Sequence, residues 1–193
     1  MKPRLLLTFV LTSLALLTAC DSTTGPRNAA ASASTPATAV VSDALLKTAH
    51  GFDVGPMMSA RTIYVFFDSQ CPHCGHLWKA AQPLQNSAHF VWIPVAALNK
   101  ASLAQGATLL AASDPITLMN QHEESMAAHH LGLTADSAAV ESKGALVEAN
   151  TKLLKTLGTG SIPLTIYRHP VTGEFIRQEG AMTQEQFKTF LAL

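Results

Sequence analysis

The sequence predicts an α/β fold in the order β-α-β, a helical insertion, then β-β-α. Three observations predict it. The β-branched and aromatic run Ile63-Tyr64-Val65-Phe66-Phe67 passes directly into a helix opened by Pro72, and Phe90-Val91-Trp92-Ile93-Pro94-Val95 follows as a second strand. A strand, a helix and a strand so spaced make a right-handed parallel unit. From about 99 to 158 the apolar residues recur at helical spacing, and beyond them two short strands and a last helix close the chain. Aromatic residues are only 6% of the chain and alanine is abundant, which favours helices over an all-β architecture.

Taken in order, the chain begins with Lys2 and Arg4, a mainly apolar stretch from Leu5 to Leu17, and then Leu17-Thr18-Ala19-Cys20. The apolar stretch is too short to span a bilayer well and suits the core of an export signal, so 1–19 is expected to be a leader. Its last four residues resemble a bacterial lipobox, in which the cysteine becomes the lipidated first residue of the mature protein. Cys20 would then be a membrane anchor; the alternative is an ordinary signal cleaved near Ala19 that leaves Cys20 as a spare thiol. Asp21 occupies a position that, in enteric bacteria, resembles an inner-membrane retention signal. The expected location is the periplasm, lipid-anchored to a bacterial membrane, with the inner membrane slightly favoured. Residues 20–40 are mostly Ala, Ser and Thr with Gly25, Pro26 and Pro36, and carry no apolar periodicity. They are expected to form a flexible tether with a reach of roughly 25 Å.

A single domain is expected over 41–193. Ser42 caps a short helix with Ala44, Leu45, Leu46 and Ala49 on its apolar face, ended by Gly51, Gly55 and Pro56 before a strand near Thr62. The helix opened by Pro72 is expected to reach about Asn86 with a bend near Pro83. In the insertion, about 99–158, Leu103, Leu109 and Leu110 mark one helix. Ile116, Leu118 and Met119 mark another, opened by Asp114-Pro115, and Leu146, Leu153, Leu154 and Leu157 a third, closed by Gly158 and Gly160. Ile162-Pro163 opens the strand Leu164-Thr165-Ile166-Tyr167, and a turn at Pro170 to Gly173 leads to Glu174-Phe175-Ile176-Arg177. Thr183 caps the final helix, whose inner face is Phe187, Phe190 and Leu191.

The chemistry concentrates at Cys71-Pro72-His73-Cys74. Pro72 suits a first helical turn, which puts Cys71 at a helix N-terminus, where free N–H groups and the helix dipole stabilise a thiolate. Its pKa is expected to fall well below the free value of about 8.5, with His73 lowering it further. A Cys71 pKa of about 4 would favour the reduced form at pH 7 by roughly 4 kcal/mol, on the order of 90 mV of oxidising power, so the pair reads as a disulfide donor. The same spacing is half of a zinc site. His73 and His76 stand close by, but these residues packed in one helical turn do not wrap an ion tetrahedrally, and no second C-x-x-C exists. No metal is expected. His76 is expected at the helix surface, and Trp78 in core packing rather than recognition. His122, His129 and His130 near Glu123 and Glu124 do not form H-E-x-x-H and are expected to be a solvated helix face with a polar turn.

Charge sets limits on partners. The chain holds 13 Lys and Arg against 13 Asp and Glu, so no basic field exists to attract nucleic acid.

The element order resembles the thioredoxin fold. Cys71-Pro72-His73-Cys74 carries the same dipeptide as the periplasmic oxidase DsbA, and Gly160-Ser161-Ile162-Pro163 resembles the superfamily's cis-proline loop, which faces the active-site disulfide and binds substrate backbone. From Arg61 to about Tyr167 the chain is similar to the catalytic domain of DsbG, through Tyr64-Val65-Phe66-Phe67-Asp68, Trp78, Trp92-Ile93-Pro94-Val95 and Leu109-Leu110-Ala111-Ala112-Ser113-Asp114-Pro115. Three departures stand out. DsbG and DsbC place a dimerisation domain and linker helix before this domain, where here only about 41–60 precedes the first expected strand, so a monomer is expected. Those families carry threonine before the cis-proline, where this chain has Ile162. Thioredoxin and DsbA bury an acid six residues before the first cysteine, where Val65 stands, so deprotonation of Cys74 needs water or another group.

The resemblance implies thiol-disulfide exchange of oxidase or isomerase type. Cys71 would be the exposed sulfur that meets substrate, Cys74 the buried resolving thiol, Pro72 and His73 the tuning residues, and Ile162 and Pro163 the substrate-binding loop. The redox-active Cys71–Cys74 disulfide would serve with no other cofactor. Partners would be exported proteins bearing cysteines and a membrane redox partner. The rival reading is a non-catalytic binder or holdase that uses the cis-proline groove.

Overall fold

A computed structural model describes residues 40–193; the leader, Cys20 and the tether up to residue 39 lie outside the described residues. In chain order the elements are α1 (Asp43–Leu46), β1 (Phe52–Val54), β2 (Thr62–Phe67), α2 (Pro72–Ala81) with a following 3-10 turn (Gln82–Leu84), β3 (His89–Pro94), α3 (Lys100–Ala111), α4 (Pro115–Ala127), α5 (Ser137–Thr156), β4 (Leu164–Arg168), β5 (Phe175–Glu179) and α6 (Gln184–Leu191). The strands form one sheet in the order β1-β3-β2-β4-β5. β2 lies at its centre, parallel to β3 and antiparallel to β4, with Val65 opposite both Trp92 and Thr165. This is the α/β thioredoxin-like fold read from the sequence.

The central strand is apolar on both faces because both are covered. Ile63, Val65 and Phe67 pack with Leu77 and Trp78 of α2 and Phe187 and Leu191 of α6. Phe66 turns the other way, among Ile93, Leu164, Ile166, Leu46 and Leu153 and Leu154 of α5. Side-chain caps start the helices: Ser42 accepts from the Leu45 N–H, Asn99 from Ala101, Asp114 from Thr117, Asp136 from Ala138 and Thr183 from Gln186, each stabilising its helix by about 1 kcal/mol. The buried Asn150 of α5 ties distant segments together. Its side chain accepts from the His50 N–H at 2.8 Å and donates to the carbonyls of His50 and Pro94 at 2.7 and 2.9 Å.

Two elements differ from the sequence reading. β1 was not expected; its three residues run between two glycines, too short a pattern to register, and it gains strand geometry only by pairing antiparallel with β3. The helix opened by Pro72 ends at Ala81 rather than near Asn86, because Pro83 supplies no N–H and the chain tightens into the 3-10 turn. Among the described residues no helix is long and apolar enough to cross a membrane.

Candidate active site

The site is built where β2 runs out. Asp68 follows the strand, fully buried, and its carboxylate accepts N–H bonds from Gln70 at 2.8 Å, Ala97 at 2.7 Å and Leu98 at 3.0 Å. It thereby fixes the loop that carries Cys71 to the segment leaving β3. Cys71 is the N-cap of α2, with extended backbone and no side-chain cap bond, and Pro72 opens the helix. The N–H groups of Cys74 and Gly75 both donate to the Cys71 carbonyl, at 2.9 and 3.2 Å.

Both cysteines are free thiols, and neither is prominent: Cys71 keeps 6% of its surface exposed and Cys74 none. The expectation of an exposed Cys71 sulfur is thus corrected, since the loop at Ile162 covers it. Cys71 Sγ lies 4.0 Å from the Ile162 carbonyl oxygen, and the Ile162–Pro163 peptide is cis. Ile162 is half-buried and Pro163 buried. His73 and His76 are exposed on α2, their rings 6.1 Å apart.

The Cys71 thiol is lowered to about 6, and the largest cause is the hydrogen bond from the Cys74 thiol. Burial opposes it; the N–H groups of Cys74 and His73 and then the His73 imidazole add smaller lowering contributions. The sequence points to the helix start and His73, whereas the partner thiol leads and the imidazole comes last. Burial and the neighbouring Cys71 push the Cys74 thiol far above the ordinary range. A pH consequence follows. Alkylation of Cys71 is expected to show a midpoint near pH 6, with reactivity lost as the pH falls through it and the thiolate takes up a proton. Cys74→Ala should raise that midpoint more than His73→Ser does; thiolate absorbance against pH checks the order, and a larger effect of His73→Ser would refute it.

Beneath the pair lies a polar layer that the sequence reading placed in solvent. His122 has no exposed surface: its Nε2 donates to the Ser69 carbonyl at 2.7 Å, and its Nδ1 accepts from the Leu133 N–H at 3.0 Å. Burial lowers its pKa, so the ring is neutral in this role. Gln105, also buried, donates to the carbonyls of Leu131 and Leu133 and accepts from Gln70. Gly132, at φ +80°, allows the turn that brings these carbonyls round, and a Cβ there would overlap the His122 ring. Glu123 is buried as well, with 6% exposure. Only His129, His130 and Glu124 of that cluster are exposed, at and after the end of α4. A histidine two residues after Asn120 on an amphipathic helix gives no signal of this burial; only docking of α4 on the loop before Cys71 creates it. Among the described residues no group of His, Cys, Asp and Glu is placed to hold a metal ion. The arrangement holds one activated sulfur, one buried sulfur and a backbone carbonyl converging on the first.

No family model matches the chain. Curated proteins similar to it include the thiol:disulfide interchange protein DsbG of Pseudomonas aeruginosa, 29% identical over 133 residues that cover 68% of this chain and 51% of that protein. DsbG of Escherichia coli is 30% identical over 107 residues, covering 54% and 42%. The chain thus matches only about half the length of these relatives. Among solved structures, the catalytic domain of Proteus mirabilis ScsC aligns with a TM-score of 0.56 at 17% identity over 78% of this chain and 92% of that one. A thioredoxin-like oxidoreductase from Silicibacter pomeroyi aligns with a TM-score of 0.57 at 17% identity, covering 79% and 96%. These structural likenesses establish the fold.

Proposed function

From the premise that this is a DsbG-like protein of thioredoxin fold, we propose that it is an exported thiol:disulfide interchange protein, an oxidase or isomerase acting on cysteines of exported proteins. One observation carries the reading: an activated thiol at a helix N-cap, facing the Ile162–Pro163 loop, with a second thiol buried behind it. In the oxidising direction a substrate thiolate attacks Cys71 Sγ of the Cys71–Cys74 disulfide, and Cys74 leaves as a thiolate and takes up a proton. A second substrate thiolate then attacks its own sulfur in the mixed disulfide. Cys71 leaves with the electron pair, so the substrate is oxidised and the protein reduced. Ile162 and Pro163 hold the substrate backbone beside the reacting sulfurs, while Pro72 and His73 tune the pair. The chemistry uses no cofactor beyond the two cysteines.

A Cys71 pKa of about 6 makes the pair a mild disulfide donor. At pH 7 its ionisation favours the reduced form by about 1.4 kcal/mol, near 30 mV, against the roughly 90 mV that a pKa of 4 would supply. The experiment is equilibration of the Cys20→Ser protein, freed of its leader, with glutathione buffers. Cys71 and Cys74 are expected to cycle reversibly between thiols and disulfide. Failure to exchange electrons with glutathione or a dithiol would favour the holdase reading.

The leader and the Leu-Thr-Ala-Cys sequence support placement in the periplasm on a lipidated Cys20, with a membrane redox partner within reach of the tether. The folded unit is taken to work as a monomer. Because acyl chains contribute about 0.8 kcal/mol per buried methylene, Cys20→Ser is expected to move the protein from the membrane to the soluble periplasmic fraction without loss of redox activity. Cell fractionation tests this, and a wild-type protein found wholly soluble would remove the anchor.

A further inference from the structure

The segment between α5 and β4 leads into Ile162 and Pro163, yet little of its own holds it in place. Gly158, Gly160 and Ser161 are exposed, the two glycines bring no side chain to pack, and only Thr159 is half-buried before Ile162. Nothing lies within 4 Å of the place a Cβ would take on Gly160. Among the described residues, the backbone N–H groups of 158–161 bond only locally: Gly158 to the Lys155 carbonyl at 2.9 Å and Ser161 to Thr159 Oγ1 at 2.9 Å. A loop with so few packing contacts and bonds sits at the low-stability end of a fold. This one nevertheless delivers the Ile162 carbonyl oxygen to 4.0 Å from Cys71 Sγ.

The ties come from β5. Strand periodicity puts Arg177 and Glu179 on one face of the sheet, opposite Ile166 and Leu164. Those two pack with Leu153, Leu154 and Leu157, so this is the face that α5 covers. Arg177 Nη1 donates to the Leu157 carbonyl at 2.9 Å, at the C-terminal end of α5 where a cation is favoured, and Nη2 donates to Glu179 Oε1 at 2.8 Å. The Ser161 hydroxyl first, then, against the opposing effect of burial, the Thr159 hydroxyl and the Arg177 guanidinium, hold the Glu179 carboxyl below the usual carboxylate range. Directly after Glu179, the Gly180 N–H donates to the Pro163 carbonyl at 2.8 Å. β5 therefore grips the chain on both sides of the loose segment, at Leu157 before it and at Pro163 after it. The Arg177 and Glu179 side chains keep 34% and 43% of their surface exposed, and an ion pair so placed adds little to global stability. What the pair fixes is a loop, and that loop meets Cys71.

We propose that Arg177 and Glu179 are positioning residues for exchange: bridging the end of α5 to β5, they hold the 158–161 segment so that Ile162 and Pro163 present their backbone to a protein substrate beside Cys71. The inference rests on the exchange reaction proposed above. The hydrogen bonds of the Arg177 side chain go to α5 and to Glu179, away from the reacting sulfurs. None of the groups that lower the Cys71 thiol lies on this segment. Loosening it therefore costs substrate placement and leaves the chemistry of the sulfurs as it is.

The test compares two reductants of the oxidised protein in single turnovers: an unstructured peptide carrying two reduced cysteines, which has a backbone for the loop to place, and dithiothreitol, which has none. With either, two thiols of the reductant become a disulfide while the Cys71–Cys74 disulfide takes up the two electrons and two protons and opens to the dithiol. In Arg177→Met and in Glu179→Gln the half-saturating peptide concentration is expected to rise about tenfold, with the limiting rate near wild type. Dithiothreitol should react at close to the wild-type rate, and the Cys71 alkylation midpoint and the urea midpoint should stay close to wild type. Arg177→Lys keeps a charge at the end of α5 but lacks the fork that bridges Leu157 and Glu179. It should behave as Arg177→Met does, and it serves in place of that variant should the latter fail to fold. Wild-type half-saturation by the peptide in these variants overturns the proposal. An equal loss with peptide and dithiothreitol also overturns it, because the damage would then lie at the cysteine pair. Wild-type protein that oxidises neither reductant would instead overturn the exchange reading, and this inference with it.

Discussion

Cys74→Ser is expected to leave glutathione bound to Cys71 as a stable mixed disulfide, its lifetime extended by about a thousandfold or more. The magnitude follows from geometry. Intramolecular attack by a thiol already held against Cys71 enjoys an effective concentration on the order of 10⁵ M, which no free thiol in solution matches. The thiol is so held: Cys74 is one turn along α2, and its side chain is the largest influence on the Cys71 sulfur. Cys71→Ser should form no adduct, because the remaining thiol is fully buried and strongly held in its protonated form. Intact-protein mass spectrometry after exposure to oxidised glutathione checks both. An adduct on Cys74 in the Cys71→Ser protein would reverse the assigned roles.

The largest loss of stability is expected from Trp78→Ala. Trp78 has no exposed surface, meets Trp92 edge-on at 4.8 Å and Phe52 at 6.2 Å, and donates its indole N–H to Asn120 Oδ1 at 2.8 Å. Truncation removes the ring that joins α2 to the sheet and to α4, at a cost of about 3–5 kcal/mol. For a domain of this size that corresponds to a fall in Tm of roughly 10 °C or more. Urea unfolding should show a lower midpoint with an unchanged slope. A change below about 1 kcal/mol would mean that the aromatic cluster repacks around the gap.

Legibility in the sequence followed how local each cause is. Strands β2, β3 and β4 carry β-branched and aromatic runs, and the caps Ser42, Asp114 and Thr183 announce their helices, so those elements can be read residue by residue. β1 could not, because Phe52 and Val54 are a strand only by virtue of Trp92 and Phe90 beside them. At the site, Pro72 marks the helix start at Cys71, but the ranking of influences on that sulfur depends on the distance between two side chains, which no spacing reports. His122 and Glu123 look like the polar face of an amphipathic helix. They turn inward because α4 docks against the loop before Cys71 and against Gly75, a tertiary event invisible along the chain.

The strand order has a consequence for how the molecule assembles. β2, at the middle of the sheet, pairs with β3 across a short stretch of chain, but with β4 only after α3, α4 and α5 have intervened: Ile63 meets Tyr167, and Phe66 meets Leu164. Non-local pairing of this kind is slow, because loop closure must precede the contacts that reward it. Until β4 arrives, one side of β2 is a bare edge carrying Val65 and Phe66, a template for wrong partners. The same delay leaves Cys71 without the Ile162–Pro163 loop that covers it in the finished fold. A chain in which β4 has not yet paired would leave the reactive sulfur open to any thiol or disulfide around it, so early oxidation or mispairing is the expected hazard of this strand order.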